Sequence, residues 1–230
     1  MSRKRISKKE LKEDAFVSGA FEASHYIQEH TSKIIGGIIG VLVLSGLAWM
    51  YVNFRAETRS EAALTMFKAE GLFISNQFSL AAVDFENVAD DYSGTEQGRK
   101  AVYFAADSYY NSGDYDRALE LFNRYMDENG GDDPLLINCL VGIAACHEQF
   151  EEYPQALENY HRALELAEYD FQRVEILSSI SRTHRQAGQA EQAIAMLDEI
   201  IESFPDDPRN GEFIEIRAEL KAGLAAGTGS

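Results

Sequence analysis

The 230-residue chain carries 21 Lys+Arg against 38 Asp+Glu, a net charge of −17. The excess is uneven: residues 1–33 hold seven basic and five acidic side chains, and the other 197 hold 14 and 33, net −19. Phosphate backbones and anionic headgroups repel such a body, which argues against nucleic acid as a partner. Only four prolines and Ala-, Glu- and Leu-rich text throughout mark an all-α protein.

Residues 2–12 (SRKRISKKELK) are basic with no apolar face to bury, so they are expected to remain unstructured and to act as a topology signal. From Asp14 to Lys33 the residues Phe16, Ala20, Phe21, Ala23 and Ile27 recur at spacings near three and four. That periodicity predicts an amphipathic helix leading into a membrane, so residues 1–33 read as a basic head and pre-membrane helix.

Ile34 to Phe54 is uncharged over 21 residues and walled by Lys33 and Arg55. At ~1.5 Å per residue it reaches ~30 Å as a helix, the thickness of a bilayer's hydrocarbon core. Trp49 and Tyr51 fall where an aromatic belt meets the interface. Gly46-Leu47-Ala48 imitates a signal-peptide cleavage site, but the apolar text continues through Val52 behind a long front, so residues 34–54 are expected to be an uncleaved signal-anchor. Seven basic residues in the short head favour a cytoplasmic N-terminus. The immediate flanks, Lys33 against Arg55, Arg59 and Lys68, point the other way, so a cytoplasm-facing body stays open as the alternative. Gly36 and Gly40, with Gly37 between them, form a Gly-x-x-x-Gly face on which a second transmembrane helix would pack.

The body is internally repetitive. Ala81 and Phe85, Ala118 and Phe122, Ala156 and Tyr160, Ala193 and Leu197 pair a small residue with a bulky one four positions on, and the alanines are 37, 38 and 37 residues apart. Three residues before each alanine stand Phe78, Tyr115, Tyr153 and Ala190; twelve before stand Ala69, Ala106, Ala144 and Ser181. Gly113 and Gly188 break the chain five before the alanine in two copies, where Asn76 and Glu151 stand in the others. Each unit is therefore two helices and a tight turn, with small residues where the pair crosses. A lone hairpin cannot bury its apolar stripe, so four units stack as an α-solenoid. Phe213, Ile214, Ile216 and Leu220 on Gly211–Leu224 predict a helix that closes the stack. Residues 55–224 are thus the solenoid and 225–230 (AAGTGS) a flexible tail, with Arg55 to Ala63 carrying helix from the anchor into the first unit.

No catalytic constellation is found, and neither an enzyme nor a cofactor is expected. His25, His30, His147, His161 and His184 make no metal-ligand spacing with Cys, Asp or Glu. His147 and His184 take the place that Tyr109 holds in the second unit, as neighbours in an interior seam. Cys139 and Cys146, seven apart on one predicted helix, lie ~10 Å apart, too far to bridge, and read as buried small hydrophobes.

The text from Gly113 to Phe122 (GDYDRALELF), with Ala106 and Tyr109, resembles the tetratricopeptide repeat family over about residues 62–208. No unit has the family's early Trp, and only the fourth ends in its proline, Pro205. The resemblance implies that first helices line a concave, protein-binding face. On this sequence those positions are Met66, Glu70 and Phe73, then Tyr103, Asp107, Tyr110 and Asn111, then Val141 and Glu148, and finally Ser178, Arg182 and Arg185. The face would run from apolar and aromatic to cationic, suited to extended polypeptide. The family's clamp for C-terminal carboxylates needs Lys and Asn at places held here by Met66, Tyr103, Val141, Ser178 and by Glu70, Asp107, Ala145, Arg182, so that ligand is not implied. The whole layout, polar head, Gly-rich span and repeat body, is similar to the bacterial ancillary subunits of the Sec translocon. That likeness implies a protein of the bacterial inner membrane whose extracytoplasmic repeats bind polypeptides, beside a translocon or periplasmic chaperone; a structural or homo-oligomeric envelope scaffold is the alternative.

Overall fold

A computed structural model describes residues 30–129 and 133–227. The basic cluster Arg3–Lys12, the amphipathic pattern from Phe16 to Ile27 and residues 228–230 lie outside the described residues. The described residues form nine helices: α1 (Thr31–Ile74), α2 (Phe78–Asp91), α3 (Glu96–Ser112), α4 (Tyr115–Glu128), α5 (Leu136–Gln149), α6 (Tyr153–Leu166), α7 (Asp170–Gln186), α8 (Ala190–Ser203) and α9 (Asn210–Gly227).

Two units divide the chain, residues 1–57 and 58–230. In the first, α1 presents its apolar side chains outward: Val41, Leu44, Trp49 and Met50 are each more than 60% exposed. No heavy atom lies within 4 Å of a Cβ built on Gly36, Gly37 or Gly40. The Arg55 guanidinium sits 5.1 Å from the Tyr51 ring centroid, where a cation is attracted to an aromatic face. By length and composition α1 is able to cross a membrane, a test that a signal sequence near an N-terminus also passes.

The second unit is a helical solenoid whose hairpins follow the sequence register. Phe78, Tyr115, Tyr153 and Ala190 each open the second helix of a hairpin. Ala81, Ala118, Ala156 and Ala193 are fully buried, as are Ala69, Ala106 and Ala144, with Ser181 at 2% exposure. In the fourth hairpin the Ser181 hydroxyl donates to the Ala193 carbonyl at 3.1 Å, so the paired small positions are where the two helices cross. Phe85, Phe122, Tyr160 and Leu197 fill the space behind each crossing, at 0–2% exposure.

All four hairpin turns are built alike. Asn76, Gly113, Glu151 and Gly188 have φ of 56°, 88°, 60° and 73°. The next residue's N–H reaches back five residues, as from Asp114 to the Tyr109 carbonyl at 2.9 Å and from Glu152 to that of His147 at 2.9 Å. This is the left-handed helix end that glycine favours, and Asn76 and Glu151 adopt it without being glycine.

Each helix from α2 onward packs on its successor, and α3 also meets α5, so the first helices of the second and third hairpins touch. At the far end α9 covers the fourth hairpin: Phe213 is buried with Leu197 and Ile200, and Ile216 and Leu220 pack beside it. Ile214, expected with them, is instead 44% exposed, because three residues of the same stripe already cover α8. The helix also continues through Ala225 and Ala226, where a tail was expected; neither residue breaks a helix.

Candidate protein-binding face

The first helices α1, α3, α5 and α7 carry the residues that the sequence assigned to a binding face, but burial sorts them. Met66 is 6% exposed and belongs to the core with Ala69 and Phe85, so it offers a ligand nothing. Phe73 is half-buried, 5.2 Å from Phe78 and 6.5 Å from Phe85 between ring centroids. Glu70, Val141 and Ser178 are half-buried, and Arg185 is exposed.

The expected cationic end is altered by a pairing between two of the chosen residues. Glu148 of α5, 7% exposed, accepts hydrogen bonds from the Tyr160 hydroxyl at 3.0 Å, from Arg182 at 2.8 Å and from the Thr183 hydroxyl. Its carboxylate thereby joins α5, α6 and α7, and Arg182 spends its charge on Glu148. Burial, with Glu148 close by, pushes the Tyr160 phenol well above its usual range, so it remains a donor. A buried carboxylate is tolerable only with this many partners.

The middle of the face, on α3, is different. Tyr103, Asp107 and Tyr110 stand at i, i+4 and i+7, one stripe of the helix, and all three are half-buried; Asn111 beside them is exposed. The Asn111 amide donates to Asp107 Oδ1 at 3.0 Å and to the Asp107 carbonyl at 2.7 Å. Burial raises the Asp107 carboxyl above its ordinary value, only partly offset by that hydrogen bond. Tyr103 packs its ring 5.9 Å from Phe122 and 6.3 Å from Tyr125, while Tyr110 lies 5.4 Å from Tyr115, which in turn meets Phe150 at 6.4 Å. Tyr115 and Phe150 are thus part of this wall, and the sequence reading missed them: Tyr115 served there only as a repeat marker.

His147 and His184 hold equivalent places in the third and fourth hairpins. His147 Nδ1 pairs with Glu152 at 2.7 Å, and His184 Nδ1 with Gln189 at 2.6 Å, each tying a first helix to the turn of its own hairpin. Cys139 and Cys146 are buried in α5 and free, and burial pushes both thiols up to about 12, away from nucleophilic chemistry. Among the described residues no three His, Cys, Asp or Glu side chains are grouped as a metal site.

Two cavities lie elsewhere, at the loops joining one hairpin to the next. One of about 330 Å³ is lined by Pro134, Leu136, Ile137, Leu166 and Tyr169 among others; one of about 290 Å³ is lined by Phe171, Val174, Phe204 and Pro205 among others. Tyr169 and Phe171 stack at 5.8 Å between them and are 60% and 69% exposed. Nothing in the periodicity announced this ledge, because inter-hairpin loops carry no repeat register.

Residues 99–168 match one tetratricopeptide repeat family model, and residues 179–207 match another. The chain is a tetratricopeptide-repeat protein. Among solved structures, a Podosopora anserina protein assigned as a kinesin light chain, built of nearly identical TPR-like repeats, is similar at 14% identity, with a TM-score of 0.61 over 73% of this chain and 89% of that one. YrrB, a TPR protein with an unusual peptide-binding site, is similar at 17% identity and TM-score 0.52, over 70% of this chain and 76% of its own. MamA of strain AMB-1 is similar at 14% identity and TM-score 0.53, over 72% and 83%. At such identities the likeness establishes the tetratricopeptide fold and no more. A comparison with curated protein sequences finds no match.

Proposed function

We propose that this tetratricopeptide-repeat protein is a non-catalytic, membrane-tethered scaffold whose repeats bind extended polypeptide partners on the extracytoplasmic side of a bacterial inner membrane. The observation that carries the reading is the half-open stripe Tyr103, Asp107, Tyr110 and Asn111 on α3, which offers side-chain surface beside a rigid core. Polypeptide is the ligand such a surface suits: rings for apolar side chains, and amide and carboxylate groups for the backbone. A similarly folded protein, YrrB, has a peptide-binding site of its own, which supports the assignment by analogy of fold. The tether is α1, whose uncharged stretch over residues 34–54 matches a bilayer's thickness and exposes large apolar side chains such as Leu44 and Trp49. The seven basic residues of the head favour the N-in orientation, and a translocon or periplasmic chaperone is the partner that the layout implies.

Two measurements test this reading. A reporter that works only outside the cytoplasm, fused after Ser230, is expected to be active; activity only of a cytoplasmic reporter makes the body an internal assembly adaptor instead. Extraction in mild detergent is expected to co-purify exported polypeptides, a translocon or an envelope chaperone, and recovery at background sinks the proposal. A second reading is a homo-oligomeric envelope scaffold, favoured by the uncovered Gly36, Gly37 and Gly40. It predicts a self-cross-link that Gly40→Leu abolishes while client binding is untouched.

A further inference from the structure

Several partly buried carboxylates in the solenoid are neutralised from within. Glu86 pairs with Arg117, Glu148 with Arg182, and Asp207 with Arg209 at 3.3 Å. Asp107 is not: among the described residues no Lys, Arg or His lies within ion-pair reach of it, and its side-chain partner is the neutral amide of Asn111 on Oδ1. Among the described residues nothing donates to the second carboxylate oxygen. The flanking phenols show the same contrast. Tyr109 donates to Glu86 at 2.8 Å, Tyr125 to Asp133 at 3.0 Å and Tyr160 to Glu148 at 3.0 Å. The hydroxyls of Tyr103 and Tyr110, by comparison, make no hydrogen bond within the described residues.

We propose that Tyr103, Asp107 and Tyr110 form a subsite for the Lys or Arg side chain of a bound extended polypeptide. It rests on the reading of this face as a peptide-binding surface and adds which residue that peptide must carry. An ammonium or guanidinium seated on the stripe meets a carboxylate oxygen that lacks a partner, two phenol oxygens that accept, and ring faces that attract cations. Tyr115, 5.4 Å from Tyr110, continues the aromatic wall and limits water on one side. Half-burial makes the carboxylate costly to leave ionised and alone, and a cation from outside removes that cost. The sign agrees with the long-range field, since the chain beyond residue 33 carries net −19 and draws basic segments towards it. The site is a half-open helix stripe, so a side chain presented on a polypeptide fits it better than an enclosed small cation would.

The test uses the full chain in detergent and fluorescently labelled, end-capped peptides of one apolar sequence, with Lys, Gln or Glu at the centre, read by anisotropy. The Lys peptide is expected to bind about tenfold more tightly than the Gln peptide, and the Glu peptide more weakly than either. Asp107→Asn is expected to bring the Lys and Gln peptides within about twofold of each other. Glu199→Gln, the same charge change at an exposed site on α8, is expected to leave the Lys preference intact. Equal binding of Lys and Gln peptides by the native protein overturns the subsite but leaves the peptide-binding face standing. A Lys preference that survives Asp107→Asn and Tyr110→Ala also overturns it, and assigns the preference to overall charge. Binding of none of the peptides overturns the subsite and the face together.

Discussion

At the scale of single residues, the solenoid stores strain at one place and removes it at another. Glu151 occupies a turn that wants φ near +60°, a conformation in which a Cβ crowds the following carbonyl at a cost of ~1–2 kcal/mol. Glu151→Gly is therefore expected to stabilise the fold by about 0.5–1 kcal/mol after the greater chain entropy of glycine is subtracted, and Gly113→Ala to destabilise it by about 1 kcal/mol, both read by urea unfolding. Gly142 shows the opposite constraint. A Cβ there would come 2.4 Å from the Phe122 ring, so Gly142→Ala is expected to cost about 1–3 kcal/mol through overpacking. Asp107 carries a different tension. Burial raises its folded pKa, so its contribution to stability is largest at low pH and falls as pH rises through that value. Asp107→Asn should accordingly raise the thermal midpoint at pH 7 and change it little at pH 3. A residue whose removal stabilises the fold and weakens peptide binding is one kept for a ligand.

At the scale of elements, polar groups decide how one hairpin meets the next. Glu148 links α5 to α6 and α7, and Glu148→Ala removes three hydrogen bonds to one buried charge. The expected loss is about 2–3 kcal/mol in urea unfolding, against about 1 kcal/mol for Tyr160→Phe, which leaves the other two donors in place. The closing helix depends on a more exposed contact. Arg217 donates to Asp198 at 2.7 Å and holds its carboxyl below the usual carboxylate range, with Lys221 adding at 3.6 Å. A depressed carboxyl stabilises above its unfolded pKa and stops doing so as pH falls through the folded value. Arg217→Gln is expected to cost about 0.2–1 kcal/mol at pH 6 and nothing measurable near pH 2, compared by thermal unfolding.

For the whole molecule, the repeat body and the apolar helix are separate units with separate physics. The body has its own core in three contiguous clusters, from Met66 to Phe213. Between residues 35 and 54 the described side chains are exposed, large apolar ones among them, a state that water penalises and lipid does not. Removing residues 1–57 is expected to leave a helical protein that unfolds cooperatively in plain buffer, as checked by circular dichroism, whereas the full chain should require detergent to stay dispersed. A truncated body that is unfolded without detergent would show that the two units do depend on each other.

Composition and spacing by themselves determined the helical class, the four hairpins and their register. The reason is local: a crossing of two helices admits only a small side chain, and that demand returns with every repeat, so Ala81, Ala118, Ala156 and Ala193 mark it directly. The left-handed turns were half legible, through Gly113 and Gly188, because Asn76 and Glu151 adopt the same conformation under tertiary constraint. Pairings between hairpins were not legible. Glu148 and Arg182 are 34 residues apart, as are Glu175 and Arg209, and periodicity tells which face a side chain is on, not which charge it meets there. The binding face inherits that limit. Its positions could be counted from the repeat, but only the packed structure removed Met66 to the core, spent Arg182 on Glu148 and left Asp107, between two tyrosines, with no ion-pair partner among the described residues.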